Sequence, residues 1–201
     1  MKRGVVLDRD GTLIDFVRDA EIGCVVTAFH PAQIRLLPGV IEGLRALAEA
    51  GFALAIATNQ PGAAKGQIPR EAIDRTNVAL VAMLRDAGIT IAKIEVCLHH
   101  PEGGPGGDAS LVTACECRKP KGGMMRSICE ELGLDPRASW MIGDTMSDVE
   151  AGAAAGMRTA LIADLGRCEL CPLKGESAPT GPDLVGPRLD SLARQVVMTL
   201  S

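Results

Sequence analysis

At 201 residues, with 47% hydrophobic but only 2% aromatic residues, the chain is long enough for one aliphatic core and poor in stacking platforms for bases or sugars. A net charge of −4 leaves no basic footprint for nucleic acid or an anionic membrane, and no apolar run approaches a membrane span. With the first strand starting almost at residue 1, no room is left for a signal peptide, so a cytoplasmic protein is expected, and seven cysteines there indicate metal ligands or free thiols rather than disulfides.

The first element is a short buried strand, Val5-Val6-Leu7, running into Asp8-Arg9-Asp10-Gly11-Thr12-Leu13. Strand alternation predicts that Asp8 and Asp10 share one side while Arg9 faces the other. Residues 14–37 carry few helix or strand signals and read as irregular. Pro38-Gly39 opens a helix with Ile41, Leu44, Leu47 and Ala48 on one face, and Gly51 stops it. A second buried strand, residues 52–57, ends in Thr58-Asn59-Gln60-Pro61-Gly62. Pro69 is expected as the first residue of the next helix, which carries Ile73, Leu80 and Leu84 to Gly88. A third strand covers residues 91–98, followed by a Gly/Pro-rich loop and Cys115-Glu116-Cys117. Met124, Met125, Ile128 and Leu132 mark a helix closed by Gly133, and Cys129 reads as core within it. Trp140-Met141-Ile142-Gly143 is the fourth strand, followed by a small-residue helix ended by Gly156. Residues 159–162 form the fifth, and a loop over 165–187 precedes a last helix near 189–200. Strands alternating with helices predict an α/β fold, a doubly wound and mainly parallel sheet in a single domain over residues 1–201.

Four polar clusters follow four of these strands: Asp8/Asp10, Thr58/Asn59, Arg118/Lys119 and Asp144/Asp148. In an open α/β sheet such clusters converge on one edge, where ligands bind. The order DRDGTL, TNQ, RKP and GDTMSD resembles the haloacid dehalogenase (HAD) superfamily of aspartate-nucleophile phosphatases over essentially the whole chain. Cys97-Leu98-His99 with Cys115-Glu116-Cys117 directly before Arg118-Lys119 is similar to one branch of it, the heptose 1,7-bisphosphate 7-phosphatases and histidinol-phosphate phosphatases. TNQPGAAKG and CECRKPKGGM resemble the heptose enzymes more closely.

The resemblance implies a Rossmann-like HAD fold and phosphate monoester hydrolysis through an aspartyl-phosphate, with Asp8 as nucleophile and Asp10 as acid and then base. An anion attacking a phosphate dianion needs a cation; the hard oxygens of Asp8, Asp144 and the Asp10 backbone carbonyl suit Mg²⁺. Lys119 and Thr58 would hold the transferring phosphoryl oxygens, with Arg118 over the substrate. Asp148 reads either as an outer support of the metal site or as the start of its helix, and Asn59 and Gln60 as substrate contacts or turn residues. Arg18 and Lys65 are candidates for a second phosphate or simply solvated charge. The competing class is a zinc-stabilised binding module without catalysis, which would need neither Asp8 nor Asp10.

Three thiols and one imidazole, Cys97, His99, Cys115 and Cys117, form a set suited to structural, tetrahedral Zn²⁺, with His100 as the alternative imidazole. The intervening residues are mostly Gly, Pro and polar types that build no core, so the metal would staple the loop and fix Arg118 and Lys119. Neither intervening segment is long enough for a folded cap domain, so a small phosphorylated sugar would be selected by loops, and a monomer is expected. Three features depart from the pattern: a long segment over 15–37, Pro61 after TNQ in place of a small hydroxyl residue, and Cys168-Glu169-Leu170-Cys171 in the late loop. That last pair reads as incidental thiols, a redox pair, or half of a second zinc site with Cys24 and His30.

Overall fold

The computed structural model describes residues 2–163 and 181–200 apart from Ala20 and Ile22. The Cys168/Cys171 pair, and with it the second zinc site, lies outside the described residues.

A six-stranded sheet carries the chain: β1 (Gly4–Leu7), β4 (Ala53–Asn59), β5 (Ile91–Cys97), β6 (Trp140–Gly143), β7 (Arg158–Ile162) and β8 (Leu184–Gly186). The spatial order is β5-β4-β1-β6-β7-β8, and every described pairing in it is parallel. Counted along the chain this is the doubly wound 3-2-1-4-5-6 arrangement, whose direction of winding reverses between β1 and β6.

The central strands β1, β4 and β6 serve two cores in alternation. Val5, Leu7, Leu54, Ile56, Trp140 and Ile142 point into one, against α1 (Val40–Glu49), α2 (Arg70–Asp86) and α5 (Leu189–Met198). Val6, Ala55, Ala57 and Met141 point into the other, against α3 (Gly123–Leu132) and α4 (Met146–Ala154). The alanines of β4 leave room there for Met124, Met125 and Met157, and Cys129 is buried among them. With so few aromatic rings, both cores are filled by branched and thioether side chains.

Two segments differ from the sequence reading. Within 14–37 the chain forms an antiparallel hairpin, β2 (Val17–Asp19) with β3 (Cys24–Val26), and a 3₁₀ turn, Pro31–Gln33. The strands are three residues each, with β3 half-buried to exposed, too short for a visible period of two. The late loop likewise contains β8, whose three residues pair with β7 and form a sixth strand. Pro69 proves to be the N-cap of α2, in extended geometry, rather than its first helical residue. Among the described residues no cap domain is inserted: β1 is joined to α1 by the hairpin segment, and β4 to β5 by α2.

Candidate active site and metal centres

The carboxyl ends of β1 and β6 meet at the reversal point. β1 ends at Leu7, and the Asp8 amide donates to Ile142 O at 2.9 Å. Gly11 then turns with φ +81°, and a side chain there would strike the Asp144 carboxylate, so both its left-handed backbone and its missing Cβ are needed.

Asp8, Asp144, Asp148 and Lys119 are all buried in one cluster. Lys119 Nζ lies 2.6 Å from Asp8 Oδ1 and 2.5 Å from Asp148 Oδ1, and donates to Ala57 O at 2.9 Å. Asn59 clamps the lysine's backbone twice, accepting from Lys119 N and donating to Lys119 O, each at 3.1 Å. Asp148 begins its helix, one of the two roles weighed from sequence, and also reaches the lysine. Its Oδ2 accepts from Thr145 N and Oγ1 in a capping box that starts α4, while Oδ1 faces the lysine.

The charge balance of this cluster is uneven. Burial, then the Asp148 and Asp10 charges, push the Asp8 carboxyl up to about 7 against the pull of Lys119. Burial, then Asp8 and Asp148, push Asp144 up to about 8. Burial alone would lower the lysine, but Asp148 and Asp8 outweigh it and hold it above its ordinary range. Three carboxylates therefore share one ammonium. Asp144 Oδ1 is buried with no hydrogen-bond partner, and oxygens of Asp8, Asp144 and Asp148 lie within 4.8 Å of one another. An all-oxygen set with surplus negative charge and an unpartnered lone pair fits a hard divalent cation such as Mg²⁺.

Asp10 is held apart from this cluster. Its carboxylate accepts from Arg9 Nε and Nη2 at 3.1 Å each, from Thr27 Oγ1 at 2.6 Å and from Gln60 Nε2 at 2.6 Å. Asp8 and Asp10 both line one cleft and Arg9 does not, as alternation expects, although β1 stops at Leu7 and the Arg9 guanidinium reaches round to its neighbour's carboxylate. Sequence reasoning passed over both Arg9 and Thr27. The available signal was a guanidinium beside a buried strand, which requires acceptors from elsewhere in the chain.

These groups line a cleft of about 340 Å³. Asp8, Asp144, Asp148 and Lys119 line it together with Asp10, Thr58, Asn59 and Gln60. Phe16 and Thr27, flanking the hairpin, contribute to it, as do Pro61, Gly62, Gln67 and Ile68 from the turn after β4. Arg118, expected over the substrate, does not line the cleft; its guanidinium donates to His99 O at 3.3 Å. Arg18 pairs with Asp15 at 3.1 Å, outside the cleft.

The sulfur cluster stands at the end of β5. Cys97 Sγ lies 3.7 Å from Cys115 Sγ and 3.3 Å from Cys117 Sγ, and the latter two are 3.3 Å apart. His99 Nδ1 is 3.3 Å from Cys117 Sγ and 3.9 Å from Cys97 Sγ. A tetrahedral ion with Zn–S of about 2.3 Å and Zn–N of about 2.0 Å sets its ligand atoms roughly 3.5–3.8 Å apart, so the set is zinc-sized. Burial pushes the Cys97 and Cys117 thiols up, a penalty that a bound cation would offset. His100 is not part of this set and braces the loop instead, its Nδ1 accepting from Gly103 N at 3.1 Å and Glu102 N at 3.3 Å. One apolar anchor does exist in the loop: Leu111 packs with Leu98, Ala63, Ala64 and Ile73.

Comparison with known proteins adds to this geometry. A family model described as HAD-hydrolase-like matches residues 116–192. A D-glycero-β-D-manno-heptose-1,7-bisphosphate 7-phosphatase of Pasteurella multocida (strain Pm70) is 34% identical over 168 residues, 83% of this chain and 84% of the relative. One from Pseudomonas putida is 32% identical over 193 residues, covering 96% and 98%. The crystal structure of D,D-heptose 1,7-bisphosphate phosphatase from B. bronchiseptica, complexed with magnesium and phosphate, superimposes with a TM-score of 0.77 at 28% identity, covering 99% of both chains.

Proposed function

Since the chain belongs to the family of D-glycero-β-D-manno-heptose-1,7-bisphosphate 7-phosphatases, within the HAD-like hydrolases, we propose that it removes the C7 phosphate from a heptose 1,7-bisphosphate. The observation that carries the reading is the buried cluster of Asp8, Lys119, Asp148 and Asp144, with Asp144 Oδ1 unpartnered, at the point where the sheet's winding reverses. A binding module has no use for buried, mutually repelling carboxylates, which cost stability.

Asp8 attacks phosphorus in line with the leaving oxygen, forming an aspartyl-phosphate. Asp10 gives its proton to the leaving alkoxide and then takes one from the water that hydrolyses the intermediate. Lys119 and Thr58 hold phosphoryl oxygens, and Asp148 fixes the lysine while beginning α4. Asp8, Asp144 and the Asp10 carbonyl would hold Mg²⁺, which when bound neutralises charge on the phosphoryl group. Asn59 acts by clamping Lys119, and Gln60 by holding Asp10.

The rest of the substrate is met by loops. Within the cleft Lys119 is the one cation among the described lining residues, so a distal phosphate must reach its rim. Partial burial lowers the His100 pKa, and the nearby Lys65 and Arg118 charges lower it further. The Lys65 backbone abuts Gly104 of the loop and Arg118 directly follows Cys117, so two cations stand at the edge of the zinc loop, and they are the groups proposed to meet the C1 phosphate. Cys97, His99, Cys115 and Cys117 would hold structural Zn²⁺, with no position left open for substrate.

Phosphate release from heptose 1,7-bisphosphate and from histidinol phosphate, measured side by side with Mg²⁺, tests the reading. Faster turnover of the bisphosphate is expected; preference for histidinol phosphate would overturn the substrate and leave the chemistry standing.

A further inference from the structure

Arg9 is fully buried, and each of its polar contacts is made inside the protein. Nε and Nη2 face the two oxygens of Asp10, Nη2 also donates to Thr27 Oγ1 at 2.5 Å, and Nη1 donates to Asn77 Oδ1 at 2.6 Å. Thr27 in turn donates to Asp10, closing a ring of three side chains. Asn77 is a buried polar residue on the inward face of α2, beside Ile73 and Leu80. Its neighbour Thr76 is already engaged with Ala72 O at 2.8 Å, so Asn77 is the side chain of this helix that reaches the guanidinium.

A guanidinium buried this deeply has no packing advantage over an apolar side chain, which argues that its value lies in what it orients. The two aspartates also have separate cations: Lys119 faces Asp8, and Arg9 faces Asp10. We infer that Arg9, fixed in direction by Asn77 on α2, is a positioning residue that aims the Asp10 carboxyl at the leaving oxygen. The inference rests on the phosphatase reading of the site. In the first step the Asp8–phosphorus bond forms, the bond from phosphorus to the leaving oxygen breaks, and the Asp10 proton moves to that oxygen. In the second, water oxygen bonds to phosphorus, the Asp8–phosphorus bond breaks, and a water proton returns to Asp10. Misdirection of Asp10 slows the first step most when the leaving group needs its proton.

The test compares two esters in single turnovers of the full-length protein with Mg²⁺: a sugar phosphate, whose alkoxide must be protonated, and 4-nitrophenyl phosphate, whose phenolate leaves without a proton. With Asn77→Ala, transfer from the sugar phosphate is expected to fall about 10- to 100-fold, part of the span typical of general acid catalysis. Transfer from the nitrophenyl ester is expected to fall less than about 3-fold, since it does not call on the acid. Asn77→Asp, which keeps the acceptor, should recover most of the loss, and Asn77→Ser carries the same comparison if the alanine protein does not fold. Equal losses on both esters, or none, would overturn the inference while leaving the phosphatase reading intact. A wild-type protein that releases phosphate from neither ester would overturn both.

Discussion

The two metal-ready clusters are built on opposite principles. Asp8 and Asp144 follow the ends of central strands and Asp148 lies in the first turn of α4, with Lys119 already among them, so part of their charge is met by the protein itself. Cys97, His99, Cys115 and Cys117 have no cation among them, and they flank a loop whose buried apolar anchor is Leu111. On the proposed reading the first site can stand without an ion, which would serve its chemistry, whereas the second would need its ion in order to stand. The loop also docks through its backbone onto the turn after β4: Asp108 N donates to Ala63 O at 3.0 Å, and a Cβ at Gly107 would strike Ala64 O. That turn carries Pro61 and Gly62 of the cleft wall, and it follows directly on Gln60, which holds Asp10. A zinc ion held there would thus be coupled to the cleft through the scaffold.

The largest expected effect on this contrast comes from Asp8→Asn. It should lower turnover by about 10⁴-fold or more while leaving the melting temperature unchanged or raised, because one repelling carboxylate has gone. Parallel rate and thermal-melt measurements check this, and a large loss of stability would contradict it. Next comes Cys117→Ser. Structural zinc ions contribute on the order of 10 kcal/mol to the fold around them, so this protein should lose bound zinc and gain fast amide exchange across residues 99–116. Elemental analysis and hydrogen exchange would show it, with the β1–β6 core still protected.

Lys119→Met removes the internal counter-charge and should cost about 3–5 kcal/mol, since Asp8 and Asp148 are left buried and unpaired. Added Mg²⁺ should restore part of that loss in a thermal melt, which no ion should do at the sulfur cluster once a ligand is gone. A smaller effect follows from acidity. The folded-state values of Asp8 and Asp144, about 7 and about 8, lie above their ordinary value of 3.8. Their contribution to stability is therefore intact below the ordinary value of 3.8, falls away as pH rises above it, and is gone once pH has passed 7 and 8. Without Mg²⁺ the melting temperature should fall over that window, and added Mg²⁺ should raise it more at pH 8 than at pH 5.5; an equal rise at both would contradict the charge balance. Smallest of all, Arg18→Ala breaks an exposed pair with Asp15 and should change stability by less than about 1 kcal/mol.

The sequence made legible what rests on period and punctuation. Five of the six sheet strands and all five helices announced themselves by apolar runs, alternation and glycine stops, and the four polar clusters followed from where those strands end. What stayed hidden was made by partners distant in the chain. The hairpin and β8 are three-residue strands stabilised by pairing, with too little burial to imprint a pattern. Arg9 and Asn77 are 68 residues apart, and nothing local to either names the other. Pro61 brings no amide donor to the cleft wall that it lines.

That Asp8 carries the phosphoryl group is open to one direct measurement. The Asp10→Asn protein, lacking the base for the second step, is mixed with 4-nitrophenyl phosphate and Mg²⁺, quenched in acid, digested and mapped by mass spectrometry. One phosphoryl group on the peptide that contains Asp8, absent when Asp8 is also changed to Asn, is the predicted result. A phosphoryl group on any other residue, or none at any time while 4-nitrophenol is released, would contradict it.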